Sequence, residues 1–181
     1  MLMTDSNKGF SLIEVLVTIV ILTIGLLGLA GLQFRALTSQ MESYQRSQAL
    51  ILLKDMTDRI DNNRANAANY VTTTPLGTNY GACTAIGAGS AGDLCEWSNA
   101  LLGAAELDSA GKPVGAMIGA RGCISQIVAP ASGVPAQYVV SVAWQGLNNT
   151  ATPAVTCGQN QYSNEALRRV VSLPLSIAIL K

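Results

Sequence analysis

Two groups of residues in this sequence are of a type and spacing that could do chemistry. The first is Glu14, a carboxylate set at the start of a run that is otherwise apolar. From Val15 to Leu32 no side chain is charged, and Glu14 is the only acidic residue between Gly9 and Glu42. An ionised carboxylate at membrane depth costs roughly 2.5 kcal/mol or more, so one found there has a partner or a task. The second group is Cys83, Cys95, Cys123 and Cys157, all on the C-terminal side of that run. Thiols delivered to an oxidising compartment form disulfides. Four cysteines allow three connectivities, and the sequence leaves all three open. The pairing Cys83–Cys95 with Cys123–Cys157 is favoured, because each pair closes a loop-rich stretch and neither crosses the other.

Other chemistries find little to work with. The chain has no histidine, which removes the usual serine and cysteine triads. Without histidine or a C-x-x-C pair there is no zinc-ligand pattern either. Asp93 and Glu96 are close in sequence, but a paired-carboxylate hydrolase would need partners from elsewhere. The glycines from Gly87 to Gly92 lack the strand-to-helix setting and the following lysine of a phosphate-binding loop. No catalytic, cofactor-binding or metal-ligating residue is therefore expected, and the protein is not expected to be an enzyme. Eleven basic residues balance eleven acidic ones, with no basic stripe of the kind nucleic-acid binding needs. Of Arg168-Arg169, one is expected to face water and the other to sit near an edge carboxylate. Asn148-Asn149-Thr150 reads as a solvated turn.

The elements that must position these residues follow from periodicity. With Phe10 to Ile13 included, the apolar run is about 20 residues long, enough for a helix to cross a hydrocarbon core of ~30 Å. Nine mostly polar residues precede it and end in Lys8-Gly9; a lysine on that side places the short N-terminus in the cytoplasm. No cleavage site of small residues follows Leu32, so a plain reading is a signal anchor. That reading leaves Glu14 unexplained. Gly25, Gly28 and Gly31, three apart, suit close helix packing, with local melting as the alternative.

The helix is expected to continue well past the membrane. From Gln33 to Asp61 there is neither proline nor glycine. Leu37, Met41 and Tyr44, then Ala49, Leu53, Met56 and Ile60, recur at helical spacing and mark a face to be buried. Glu42 with Arg46, Lys54 with Asp58, and Asp55 with Arg59 are i,i+4 pairs expected on the solvated face. A helix from about Phe10 to about Asn62 would be roughly 80 Å long. Beyond Arg64 the composition shifts to Gly, Ala, Thr, Asn and Ser. Residues 66–92 read as loops, with a short helix around Ser98 to Leu102 and strands at 122–128, 137–144 and 166–173, the last resuming at 175–180. Pro174 is expected at an edge, bulge or break. One long helix followed by antiparallel strands gives an α+β class.

Lys8-Gly9-Phe10-Ser11-Leu12-Ile13-Glu14-Val15-Leu16 resembles the class III signal of type IV pilins and type II secretion pseudopilins. Ile24 to Gln33 resembles the PilV minor pilins and the related I-type pseudopilins. A weaker likeness extends into the head at Cys95-Glu96-Trp97, Gly122-Cys123-Ile124, Tyr138 to Gly146 and Arg168-Arg169. The resemblance implies that a membrane prepilin peptidase cuts between Gly9 and Phe10 and methylates the new N-terminal Phe10. A glycine at that point lets the backbone come close to the peptidase. It implies that Glu14 then pairs with the α-amino cation of a neighbouring subunit and sets its register in a filament. The pilin fold it implies is a leader at 1–9, a transmembrane and filament-core helix at 10–34, an amphipathic half at 35–63 and a disulfide-bonded head at 64–181. The expected partners are the prepilin peptidase, other minor and major pilins, the inner-membrane assembly platform and, before assembly, membrane lipid. The implied location is the bacterial inner membrane, single-pass with the head in the periplasm, and then the fibre. The implied role is that of a minor pilin in pilus assembly or priming. A minor pseudopilin of a type II secretion system and an adhesin-like binding head are the alternatives.

Overall fold

The proline- and glycine-free stretch after Leu32 does continue as helix. In the computed structural model, which describes residues 9–78, 87, 89–103, 106–115 and 117–178, α1 runs unbroken over Leu12–Asn62. The Ser11 carbonyl accepts the first amides of the helix, from Glu14 at 3.0 Å and Val15 at 3.3 Å. The N-terminal part of α1 is long and apolar enough to cross a membrane. The chain divides into two compact units at Met41 and Glu42.

In the C-terminal unit α1 buries Gln45, Ala49, Leu53, Met56, Thr57 and Ile60. Tyr44, expected on that face, is 58% exposed, and Gln45 takes the inward place beside it. At 100° per residue, a line drawn through Tyr44 is one residue out of phase with the line through Ala49 and Leu53. Leu37 and Met41, earlier on the same predicted line, are exposed as well.

A 3-10 helix, Arg64–Tyr70, follows, and then α2, Ser90–Leu102. α2 is longer than the short helix expected around Ser98, because its first turn is drawn from a Gly, Ala and Ser stretch with weak periodicity. Its buried side is Gly92, Cys95, Trp97 and Leu101. It ends at Gly103, whose left-handed backbone (φ 74°) turns its N–H back to the carbonyls of Asn99 and Ala100.

Three strands, β1 (Ile118–Val128), β2 (Ala136–Gln145) and β3 (Arg168–Ile177), form an antiparallel sheet in the order β1-β2-β3. Three strands are present as expected, but the third begins at Arg168, not Ala166, because Glu165–Leu167 forms a 3-10 turn; β3 then runs straight through Pro174, paired with Val139. Pro174 is tolerated because β3 is an edge strand, where one missing N–H breaks no ladder. β2 lies at the centre. Tyr138, Val140, Val142 and Trp144 alternate toward the core with the buried face of α1, and Ser141 and Ala143 on the other face are buried too. The loop after β2 covers them: a Cβ built on Gly158 would lie 3.0 Å from the Ala143 Cβ. The C-terminal unit is thus an α+β fold, with helix packed on one face of a three-stranded antiparallel sheet.

β1 meets α2 at a glycine. A Cβ on Gly122 would fall 2.4 and 2.5 Å from Trp97 ring atoms and 2.6 Å from Leu101 Cδ1. Trp97 is fully buried and its indole N–H is fixed on the Leu52 carbonyl at 2.9 Å, so it has nowhere to go. Gly122→Ala is expected to cost about 1–3 kcal/mol, read as a lowered midpoint in urea unfolding. An unchanged midpoint would show that α2 can move off β1 freely.

Candidate functional site

In the N-terminal unit, Gly9 and Phe10 precede the helix and are exposed, Phe10 by 84%. Nothing lies within 4 Å of a Cβ built on Gly9, so the Gly9-Phe10 bond is open to a second protein. Glu14 stands in the first turn of α1, where the partial positive charge of the helix N-terminus favours a carboxylate. Among the described residues no basic side chain forms an ion pair with Glu14. Within the apolar run the hydroxyls of Thr18 and Thr23 donate to the carbonyls of Val15 and Val20, each at 2.8 Å. These bonds satisfy the two hydroxyls without any partner from outside the helix. Gly25, Gly28 and Gly31 each have open space where a side chain would be, leaving room for close approach by another helix.

In the C-terminal unit three polar groupings fasten the elements, and sequence reading misplaced most of their members. Glu42 was expected to pair with Arg46 on a solvated face. Instead its Oε1 accepts from the backbone N–H groups of Leu147 (3.1 Å) and Asn148 (3.0 Å) and from Arg169 Nη2 at 3.3 Å. Arg169 also donates to the Asn148 carbonyl at 2.5 Å, to Thr150 Oγ1 at 2.7 Å and to the Ala166 carbonyl at 3.2 Å. The 148–150 turn is therefore a clasp that ties α1 to the β2–β3 connection. No spacing in the sequence announces it, because its members lie more than 100 positions apart.

Desolvation acts to raise the Glu42 pKa, but the two backbone amides, the charge on Arg169 and the Asn148 side chain outweigh it and hold the carboxyl below its ordinary value. A carboxyl depressed in the folded state stabilises the fold above its unfolded pKa, near 4.5, and loses that contribution as pH falls through the folded value. Glu42→Gln should therefore cost about 1–2 kcal/mol at pH 7 and less at pH 3, measured by urea unfolding at both. An equal cost at the two pH values would mean that the charge is not what matters.

Asp55 and Arg59 do pair, at 3.0 Å, but not on a purely solvated face. Arg59 Nη1 also reaches Asp93 (3.1 Å) and Glu96 (2.7 Å) on α2, and Tyr70 donates to Asp93. The Glu96 hydrogen bond, then Asp55 and Asp93, hold the Arg59 pKa above its ordinary value against the opposing effect of burial. Asp93 and Glu96, the carboxylates that are close in sequence, are thus engaged in docking α2 onto α1. Lys54 and Asp58 pair on the exposed side as expected.

Neither arginine of Arg168-Arg169 faces water. The Arg168 side chain is 1% exposed, bound to Glu165 at 2.6 Å and to three backbone carbonyls. The three-residue spacing of Glu165 and Arg168 was the one available hint of this pairing. Cys123 and Cys157 form a disulfide, S–S 2.02 Å, as favoured from sequence. Cys95 is disulfide-bonded as well, and Cys83 lies outside the described residues, as do the last residues of the expected strand resumption at 175–180.

Residues 5–30 match the family model described as the prokaryotic N-terminal methylation motif, and residues 31–99 match the model described as type IV pilin Tt1218. This chain belongs to the type IV pilin family. The two matches adjoin, and together they run from Asp5 through α1 to Asn99 in α2. The pilin family is structural rather than enzymatic. The methylation motif implies processing of this pilin by a prepilin peptidase. No curated protein and no solved structure matches the chain.

Proposed function

We propose that this pilin is a minor subunit of PilV type that acts in pilus assembly or priming and rides in or at the tip of the fibre. The observation that carries the proposal is Glu14, placed one helical turn beyond the open Gly9-Phe10 junction, at the head of a helix able to cross a membrane. In this reading Gly9 and Phe10 are the residues cut apart by the peptidase, Phe10 is N-methylated, and Glu14 receives the Phe10 amine of a neighbouring subunit. Before assembly the helix is held in inner-membrane lipid with the head in the periplasm, where the disulfides form. The partners are then the assembly platform and the other minor and major pilins. The pilus reading is favoured over a secretion pseudopilus by the type IV pilin description of the match over 31–99. It is also favoured by Cys95-Glu96-Trp97 and Gly122-Cys123-Ile124, two PilV-like segments that meet in the head where Trp97 lies against Gly122.

Mass spectrometry of the membrane-extracted protein tests the processing. The expected chain starts at N-methylated Phe10, and Gly9→Val should leave only uncut protein, because a β-branched side chain resists the backbone conformation that a glycine supplies. An intact Met1 N-terminus in cells with an active prepilin peptidase would refute the assignment. A deletion strain tests the role. Loss of surface pili with secretion unaffected is expected, whereas a secretion defect with normal pili would assign the chain to a secretion pseudopilus.

A further inference from the structure

Arg168 is a fully buried cation that the assembly role does not use. Its Nε binds Glu165 Oε2 at 2.6 Å, and its guanidinium donates to the carbonyls of Val155 (2.5 Å), Cys157 (3.1 Å) and Pro153 (3.1 Å). The other oxygen of Glu165 accepts from the Asn160 N–H at 2.7 Å. Burying a guanidinium costs several kcal/mol unless its hydrogen bonds are met, so the loop that supplies those carbonyls is held against β3 in one geometry. One of the three carbonyls belongs to Cys157 itself. On the same face of the sheet Cys123 pairs with Ser141, the β2 neighbour of Ser172 on β3. Closing a loop between residues 34 apart in sequence carries an entropic cost when nothing else joins its ends.

We propose that Arg168 is a positioning residue for the Cys123–Cys157 disulfide: it seats the 153–157 loop on the sheet before oxidation and so selects this partner for Cys157. The chemistry needs a disulfide oxidant. One thiolate of the pair attacks the oxidant's S–S bond and expels a thiol. The other then attacks the mixed disulfide and expels the second, so two protons and two electrons leave the protein and the oxidant is reduced. Arg168 takes no part in these transfers; it raises the local concentration of one sulfur near the other.

Two measurements on the full-length chain in detergent micelles decide the matter. The first uses Cys123→Ser with Cys157→Ser, which removes the bond and keeps Arg168. Amide hydrogen exchange at Gln159 and Asn160, whose N–H groups donate to the Thr156 carbonyl and to Glu165, should stay protected there, and should rise to the rate of an open loop when Arg168→Met is added, while amides of β2 remain protected. Unprotected loop amides in the doubly substituted chain would overturn the proposal, whatever the fate of the Arg168→Met protein. The second is reoxidation with oxidised glutathione, read by peptide mapping under non-reducing conditions. Arg168→Met should lower the yield of Cys123–Cys157 relative to mixed and mispaired forms by about tenfold, with Arg168→Lys intermediate. Equal yields in the three proteins would likewise overturn it.

Discussion

Chains carrying Glu14→Ala are expected to lose their leader normally and yet be absent from filaments. In the proposed processing the peptidase cuts at the Gly9-Phe10 junction, which is exposed and lies outside α1, so removing a carboxylate one turn into the helix would leave the cut bond unchanged. Assembly is different. Once Phe10 is the N-terminal residue, its α-amino group is a cation near an apolar boundary, and no acidic residue other than Glu14 precedes Glu42. In a medium of low dielectric an unpaired charge is far more costly than in water, and removing one partner of a buried pair costs on the order of 3–5 kcal/mol. That corresponds to roughly a hundredfold or greater loss in the share of this subunit that leaves the membrane for the fibre. Immunoblots of sheared fibres and of membranes, probed for this subunit itself, give the ratio without interference from other pilins. Wild-type amounts of the variant in sheared fibres would remove the pairing role. Glu14→Gln should behave like the alanine variant, since it keeps the shape and loses the charge.

The second large effect concerns the head. Cys123→Ser should lower the stability of the oxidised protein by about 3–4 kcal/mol, because the bond closes a loop with a sequence separation of 34 and chiefly restricts the unfolded chain. Substituting Cys95 should cost less, since the favoured Cys83–Cys95 pair closes a much shorter loop. Urea unfolding of the full chain in detergent gives both values, and non-reducing peptide maps give the connectivity. A larger loss from Cys95→Ser, or Cys83 found joined to Cys123 or Cys157, would contradict this ordering. The native loop is expected to keep its place in the Cys123→Ser protein, since Arg168 holds it by three hydrogen bonds that the sulfur does not make.

The same residues separate what the chain's order of amino acids determines from what folding adds. The N-terminal signal, the uninterrupted α1 and the strand character of β2 rest on local rules: an apolar run of membrane length, a stretch free of proline and glycine, and alternation of β-branched residues. Each is complete within a few turns of chain, so each is legible without a fold. The Cys123–Cys157 pairing could be favoured, though not fixed, among the three connectivities, because each pair of that choice closes a loop-rich stretch of chain between neighbouring cysteines. α2 was half hidden, because its first turn is made of Gly, Ala and Ser and is held by packing at Gly92 and Trp97 rather than by propensity. The polar fastenings were not legible. Glu42 had a plausible partner four residues away, but two backbone amides and Arg169, brought in from more than 100 positions along, offer more than one exposed ion pair can. Of Arg168-Arg169 one was expected to face water, and nothing singled out Arg168 as buried until the loop over the sheet supplied three carbonyls to it. Local sequence set the helix, the strands and the signal, because their hydrogen bonds and burial repeat at short range. Tertiary structure alone decided which charges are buried and what they hold, because a charge leaves water only where distant backbone has been brought close enough to replace it.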